Sequence, residues 1–226
     1  MTRFPPRPLG SALLLASALV VMAGPVRAAD DTIGTTALAV REVVRVEKAT
    51  TAPIATGDAI FRNETVRTGA DGSARFVFSD ATDLALGPSS TVVLDRFVFD
   101  DADHYGKAVI GLAKGTFRFT TGKSPKDAYD IRTGTATIGL RGTVLDVRAS
   151  RGTTTVTLVE GGAHVCAIAA RRSCADLKNP GDTVTVTASG ARMGGKPVVF
   201  AGADGGGPAA PLGANGGFPE GALCGR

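Results

Sequence analysis

Few residues in this chain combine the types and spacing that chemistry needs. The histidines are His104 and His164, and the cysteines are Cys166, Cys174 and Cys224. His164 stands two residues from Cys166, so on a strand both side chains share a face. Two donors fall short of a tetrahedral metal site. The run TGKS at 121–124 ends like a phosphate-binding loop. That motif needs glycine five residues before Gly122, where Phe117 stands, and Pro125 follows in place of a clean helix start. DDADH at 100–104 gathers carboxylates without the glycine and closing glutamate of a calcium loop, and reads as a solvated hairpin end. No G-x-S-x-G nucleophile elbow is present. The expectation is a protein that is not an enzyme, with no catalytic residues, no cofactor and no metal.

The cysteines carry a structural expectation instead. Arg3 and Arg7, the apolar run from Leu9 to Met22, and Val26-Arg27-Ala28 have the layout of a secretory signal peptide over residues 1–28, cleaved between Ala28 and Ala29. The apolar run is shorter than the roughly 20 residues that span a bilayer. Export to the periplasm or the medium follows, as a soluble protein without stable membrane insertion after the leader is removed. In an oxidising compartment, Cys166 and Cys174 flank the short AIAARRS segment and are expected to bond across a hairpin. Cys224 lies in a loose tail and is expected to stay unpaired. Of 25 basic residues three lie in the leader, leaving 22 against 21 acidic. Nucleic-acid binding needs a clustered positive surface, and none is found, so no nucleic-acid partner is expected.

The elements that must position these residues are strands. VREVVRV (40–46), SARFVFS (73–79), STVVLDRFVFD (90–100), GTFRFTTG (115–122) and TVTLVEG (155–161) alternate or cluster β-formers. Phe76 and Phe78 share a face, as do Phe97 and Phe99, and Phe117 and Phe119. Turn residues recur between them, among them Asp71-Gly72-Ser73, Gly87-Pro88-Ser89 and Pro180-Gly181-Asp182. The fold class is all-β: a twisted antiparallel sheet rolled into a solenoid-like or sandwich-like domain. It spans residues 37–190, after an N-terminal linker at 29–36. Residues 191–226 are a Gly/Pro/Ala-rich tail, expected to be disordered because it cannot bury enough apolar surface. Lys196 to Phe200 could add one edge strand.

Within TATIGLRGTVLDV (135–147), Ile138 and Leu140 occupy one strand phase, and Leu145 and Val147 the other. A one-residue slip turns every side chain to the opposite face, so a bulge or bend is expected near Gly142. Arg141 sits at that bend. It is either a buried clamp for the carbonyls the bend frees, or an exposed contact for a ligand or partner. The clamp is preferred because unpaired backbone groups at a buried bend are costly.

This stretch resembles the most recognisable segment of FecR-domain proteins, a T-x-A-x-I-G-v-R-G-T-x-f-x-v run followed by v-x-v-x-E-G-x-v-x-v. The pattern falls on Thr135, Ala136, Ile138, Gly139, Arg141, Gly142, Thr143, Leu145 and Val147, then on Glu160 and Gly161. The upstream GDAIFRNETVRTGADGSARFVFSDATDLALGPSSTVVL is similar to the family's first half. The resemblance implies an all-β periplasmic domain. Its best-known members pass a signal from an outer-membrane receptor to a sigma factor across the inner membrane. No cytoplasmic sigma-binding region or following transmembrane helix is seen here. What carries over is an interaction or sensing module in envelope signalling, whose partner is another envelope protein. The alternative is an envelope structural protein that assembles through strand edges.

Overall fold

The computed structural model of the 226-residue chain describes residues 32–47, 50–101 and 104–201. These residues form strands and turns, without a helix. The first half contains β1 (Thr32–Val40), β2 (Val43–Glu47), β3 (Thr50–Pro53), β4 (Ala59–Phe61), β5 (Glu64–Thr68), β6 (Ser73–Phe78), β7 (Asp83–Leu86) and β8 (Thr91–Asp101). The long β9 (His104–Thr120) follows. The second half contains β10 (Tyr129–Thr133), β11 (Ala136–Leu140), β12 (Val144–Ser150), β13 (Thr153–Glu160), β14 (Ala163–Ala167), β15 (Cys174–Leu177), β16 (Thr183–Thr187) and β17 (Gly190–Met193).

Pairing sorts them into two layers. Sheet I runs β4-β1-β6-β7-β9-β12-β13-β16-β17. Sheet II runs β3-β2-β5-β8-β9-β10-β11-β14-β15. β9 belongs to both. Its residues up to Lys114 pair with β8 in sheet II, and from Gly115 onward it pairs with β12 in sheet I. The network is continuous and unclosed. Successive hairpins in the second half alternate between layers: β10–β11 in II, β12–β13 in I, β14–β15 in II, β16–β17 in I. The sequence's all-β expectation holds, in a sandwich-like form. One pairing, β9 with β10, is parallel, so the sheet is mixed and not purely antiparallel.

The layer change in β9 is written in its sequence. Ala108, Ile110 and Leu112 face the core in sheet II, whereas Phe117 and Phe119 face it in sheet I. The apolar phase slips from even to odd, which reverses the inward face. Gly115 takes the slip with φ 118°. A Cβ there would lie 2.1 Å from Ser90 Oγ and 2.5 Å from Ser90 Cα, so a larger residue has no room. Between the layers lies one core, with Phe76, Leu84, Phe117, Leu145 and Val156 facing Val92, Ile110, Ile131, Ile138 and Val165. Phe76, Phe78, Phe97, Phe117 and Phe119 are all buried as their alternation requires. Phe99's side chain is outside the described set.

The TGKS stretch has a packing role. Asp80 is fully buried and accepts hydrogen bonds from Thr82 N (2.9 Å), Thr82 Oγ1 (2.9 Å), Ser124 Oγ (2.7 Å) and the Tyr129 hydroxyl. Several donors let a carboxylate stay buried without a cation. Gly122 lies against this cluster, and a Cβ on it would come within 2.4 Å of Thr82 N. The loop therefore locks the end of β9 to the β6–β7 turn.

Three boundaries differ from the sequence reading. β1 begins at Thr32, inside the stretch read as linker 29–36, because Ile33 and Thr36 are buried there and β1 pairs with β4 and β6. The VREVVRV run is broken at Arg41, whose φ of 58° turns the chain from sheet I to sheet II. The stretch read as tail 191–226 starts within β17. Residues 196–200 are no edge strand, yet Val198 and Phe200 are buried on sheet I. The leader, its cleavage site at Ala28 and Ala29, most of the tail and Cys224 lie outside the described residues.

Candidate functional site

The outer face of sheet II gathers the residues that the sequence singled out. β10, β11, β14 and β15 lie side by side, and their period-2 alternation sends Ile131, Ile138, Val165 and Leu177 inward. The outward positions form two transverse rows. One carries Asp130, Gly139, His164 and Asp176 in register, and the next carries Arg132, Thr137, Cys166 and Cys174.

Cys166 and Cys174 face each other across the β14–β15 hairpin and are joined by a disulfide with Cα atoms 4.0 Å apart. His164 Nδ1 is 2.6 Å from Asp176 Oδ1 across the same hairpin, and its Nε2 is 3.1 Å from Cys166 Sγ. The His164 hydrogen bond holds the Asp176 carboxyl below its ordinary range, and the charges of Lys178 and Arg141 act in the same direction. One ligand atom each from His164, Cys166 and Cys174 falls within a 4.8 Å cluster. The sequence offered two of these donors. The third, Cys174, comes from the neighbouring strand, across the hairpin where the sequence expected it to meet Cys166.

The bend at 141–143 settles its hydrogen bonds without the arginine side chain. Gly142 has φ 64°, and a register shift follows between Val144 and Leu145. Arg141 N donates to Thr143 Oγ1 (3.0 Å) and to Gly162 O (3.0 Å). Thr143, buried to 2% exposure, donates its hydroxyl to Gly162 O (2.6 Å) and its N–H to Thr121 Oγ1 (2.9 Å). Thr121 N returns a bond to Thr143 O (3.1 Å). Gly161 approaches so closely that a Cβ on it would lie 1.8 Å from Gly142 O. Thr143, Gly142 and Gly161 are therefore the clamp. Glu160, beside them, is exposed.

Arg141 is exposed, and among the described residues no hydrogen bond or ion pair engages its guanidinium. This overturns the preferred reading of a buried arginine clamp, because the Thr143 hydroxyl already meets the backbone need. The bend itself is where the sequence placed it. The chain leaves sheet II at Leu140 and enters sheet I at Val144, so the phase slip marks a layer crossing.

The comparisons bear on this same region. Residues 64–164 match the model of a family described as FecR protein. Two crystal structures of a candidate anti-sigma factor from Parabacteroides distasonis ATCC 8503, at 2.50 and 1.65 Å resolution, are similar at 15% identity. Their TM-scores are 0.46 and 0.45, and each comparison covers 57% of this chain and 57% of the other. No curated protein matches. Among the described residues no helix is long and apolar enough to cross a membrane.

Proposed function

With residues 64–164 forming a FecR domain, we propose that this chain is a non-enzymatic regulatory module acting through protein–protein contacts in envelope signalling. The observation that carries the reading is Arg141. It lies within the FecR segment, projects from a bend that holds itself, and offers five donors to a partner's carboxylates or carbonyls. The leader-like N-terminus and the Cys166–Cys174 bond support a periplasmic or secreted location.

Cross-linking in the native envelope, with Arg141→Glu against wild type, tests this. The expected result is one adduct lost in the variant while its urea midpoint stays unchanged. The same adducts at the same yield in both would overturn the role of Arg141.

The unclosed network favours one second reading, assembly through strand edges. Among the described residues β15 pairs in sheet II with β14 alone, and exposed edges pair with other chains. Light scattering across a concentration series separates the two. Growth in mass supports assembly, and a constant monomer supports the module.

A further inference from the structure

We propose that the β14–β15 hairpin carries a redox-gated site for a thiophilic d10 cation such as Zn2+, built from Cys166, Cys174 and His164. The proposal stands apart from the partner-binding reading. It rests on three features of the hairpin. Cys166 and Cys174 are a direct cross-strand pair on the outer face, so both sulfurs already point into the same space. His164 is the next outward residue on β14, and its Nε2 faces Cys166 Sγ at 3.1 Å. Its Nδ1 is held by Asp176 at 2.6 Å, the carboxylate–histidine arrangement that orients a metal-binding imidazole.

The disulfide is the closed state, because its sulfurs are no thiolate ligands. A thiol reductant opens it. Two electrons and two protons enter, the S–S bond is replaced by two S–H bonds, and the reductant's own thiols end as a disulfide. Zn2+ then replaces both protons, releasing them to solvent, and takes two thiolates and one imidazole with water in the fourth position. Two Zn–S bonds of about 2.3 Å at a tetrahedral angle place the sulfurs roughly 3.8 Å apart. Facing Cβ atoms in an antiparallel pair stand about 4.5–5.5 Å apart, so side-chain rotation reaches that spacing. The frame survives reduction because β14 is also laddered to β11 along Ala136 to Leu140. The consequence is a surface that reads thiol redox state and converts it into a bound metal ion, whose charge the two thiolates cancel.

The test uses the full chain with Cys224→Ser, so that only two cysteines remain, reduced by a phosphine that does not compete for metal. Zn2+ is titrated against a chromophoric chelator, and Co2+ serves as a spectroscopic probe. The expected result is one equivalent bound by reduced protein, none by oxidised protein, and a sulfur-to-cobalt charge-transfer band only after reduction. His164→Ala and Asp176→Asn should each weaken binding by about 10-fold or more, the usual scale for orienting partners. Absence of the band in reduced protein, or a His164→Ala variant that titrates like its parent, would overturn the site. Loss of the far-UV β signal on reduction overturns it too, because the donors then share no face.

Discussion

Two patches on the outer faces of the sandwich treat similar charges in opposite ways. On sheet I, Arg118 and Asp146 are a direct cross-strand pair joined by two bonds of 2.7 and 2.8 Å, with side chains only 11% and 2% exposed. The chain after β17 covers them. Val198 N donates to Thr157 Oγ1 (2.9 Å), Phe200 N donates to Asp146 Oδ2 (3.0 Å), and the Phe200 ring lies 5.7 Å from the Arg118 guanidinium. On sheet II, Arg132 and Asp130 also bond at 2.6 Å but stand 55% and 20% exposed. His164, Asp176 and Arg141 share that open face. Around Arg118 and Asp146 sheet I is closed by the protein's own chain, whereas the Arg75–Asp83 pair elsewhere on sheet I and the sheet II rows stay exposed. Position in the sheet, and not ion-pair chemistry, decides which charges hold the fold.

The sharpest way to break this comparison is to remove one acid from each face. Asp146→Ala strands a buried guanidinium and is expected to cost about 3–5 kcal/mol. Asp130→Ala should cost about 1 kcal/mol or less. Urea midpoints decide, and equal losses would erase the distinction. Phe200→Ala removes the cover while leaving the pair, with an expected loss of about 3 kcal/mol. A concurrent rise in hydrogen exchange at β12 would show that the cover keeps water off Asp146.

A buried group between the layers provides a control belonging to neither outer face. Tyr105 donates its hydroxyl to Ile33 O (2.7 Å), and burial pushes its pKa up to about 12 from 10.0. The folded state thus favours the neutral phenol. Its contribution is complete below pH 10 and is lost as pH rises towards 12, by about 2–3 kcal/mol in total. Stability measured across that range should fall in wild type and fall less in Tyr105→Phe. The bend supplies a contrast of its own. Thr143→Val leaves buried backbone groups short of a partner and should cost about 1–3 kcal/mol. Arg141→Ala should stay within about 0.5 kcal/mol of wild type.

What the sequence revealed follows from local periodicity. Phe76/Phe78 and Phe117/Phe119 declare inward faces because a strand's period is two. The slip between Leu140 and Leu145 declared a bend, which the fold uses to cross between layers, and the same logic applied to Leu112 and Phe117 locates the switch in β9. Relations at long sequence distance were not legible. Thr143 takes its partners from Thr121 and Gly162, so the need Arg141 was expected to meet was already filled. Phe200 sits in Gly- and Pro-rich sequence and gains its burial only from a sheet formed by distant strands. At the candidate site, the outward alternation placed His164 beside Cys166. Asp176 joined them only through the hairpin register.

A strand owned by both layers also governs how the molecule is assembled and how it comes apart. β10 builds on the first part of β9, and β12 on its last part. A chain maturing from its N-terminus therefore finishes a template before the last eight strands arrive, and those strands zip outward from it on two fronts. Scission in the connector at 121–128 yields no pair of autonomous lobes. The N-terminal piece keeps β9 with two vacant flanks. The C-terminal piece carries β10 and β12 as two orphaned edges, each matched to a flank of the strand it lost. Such fragments should find each other again in solution, the template supplying the register for both edges at once.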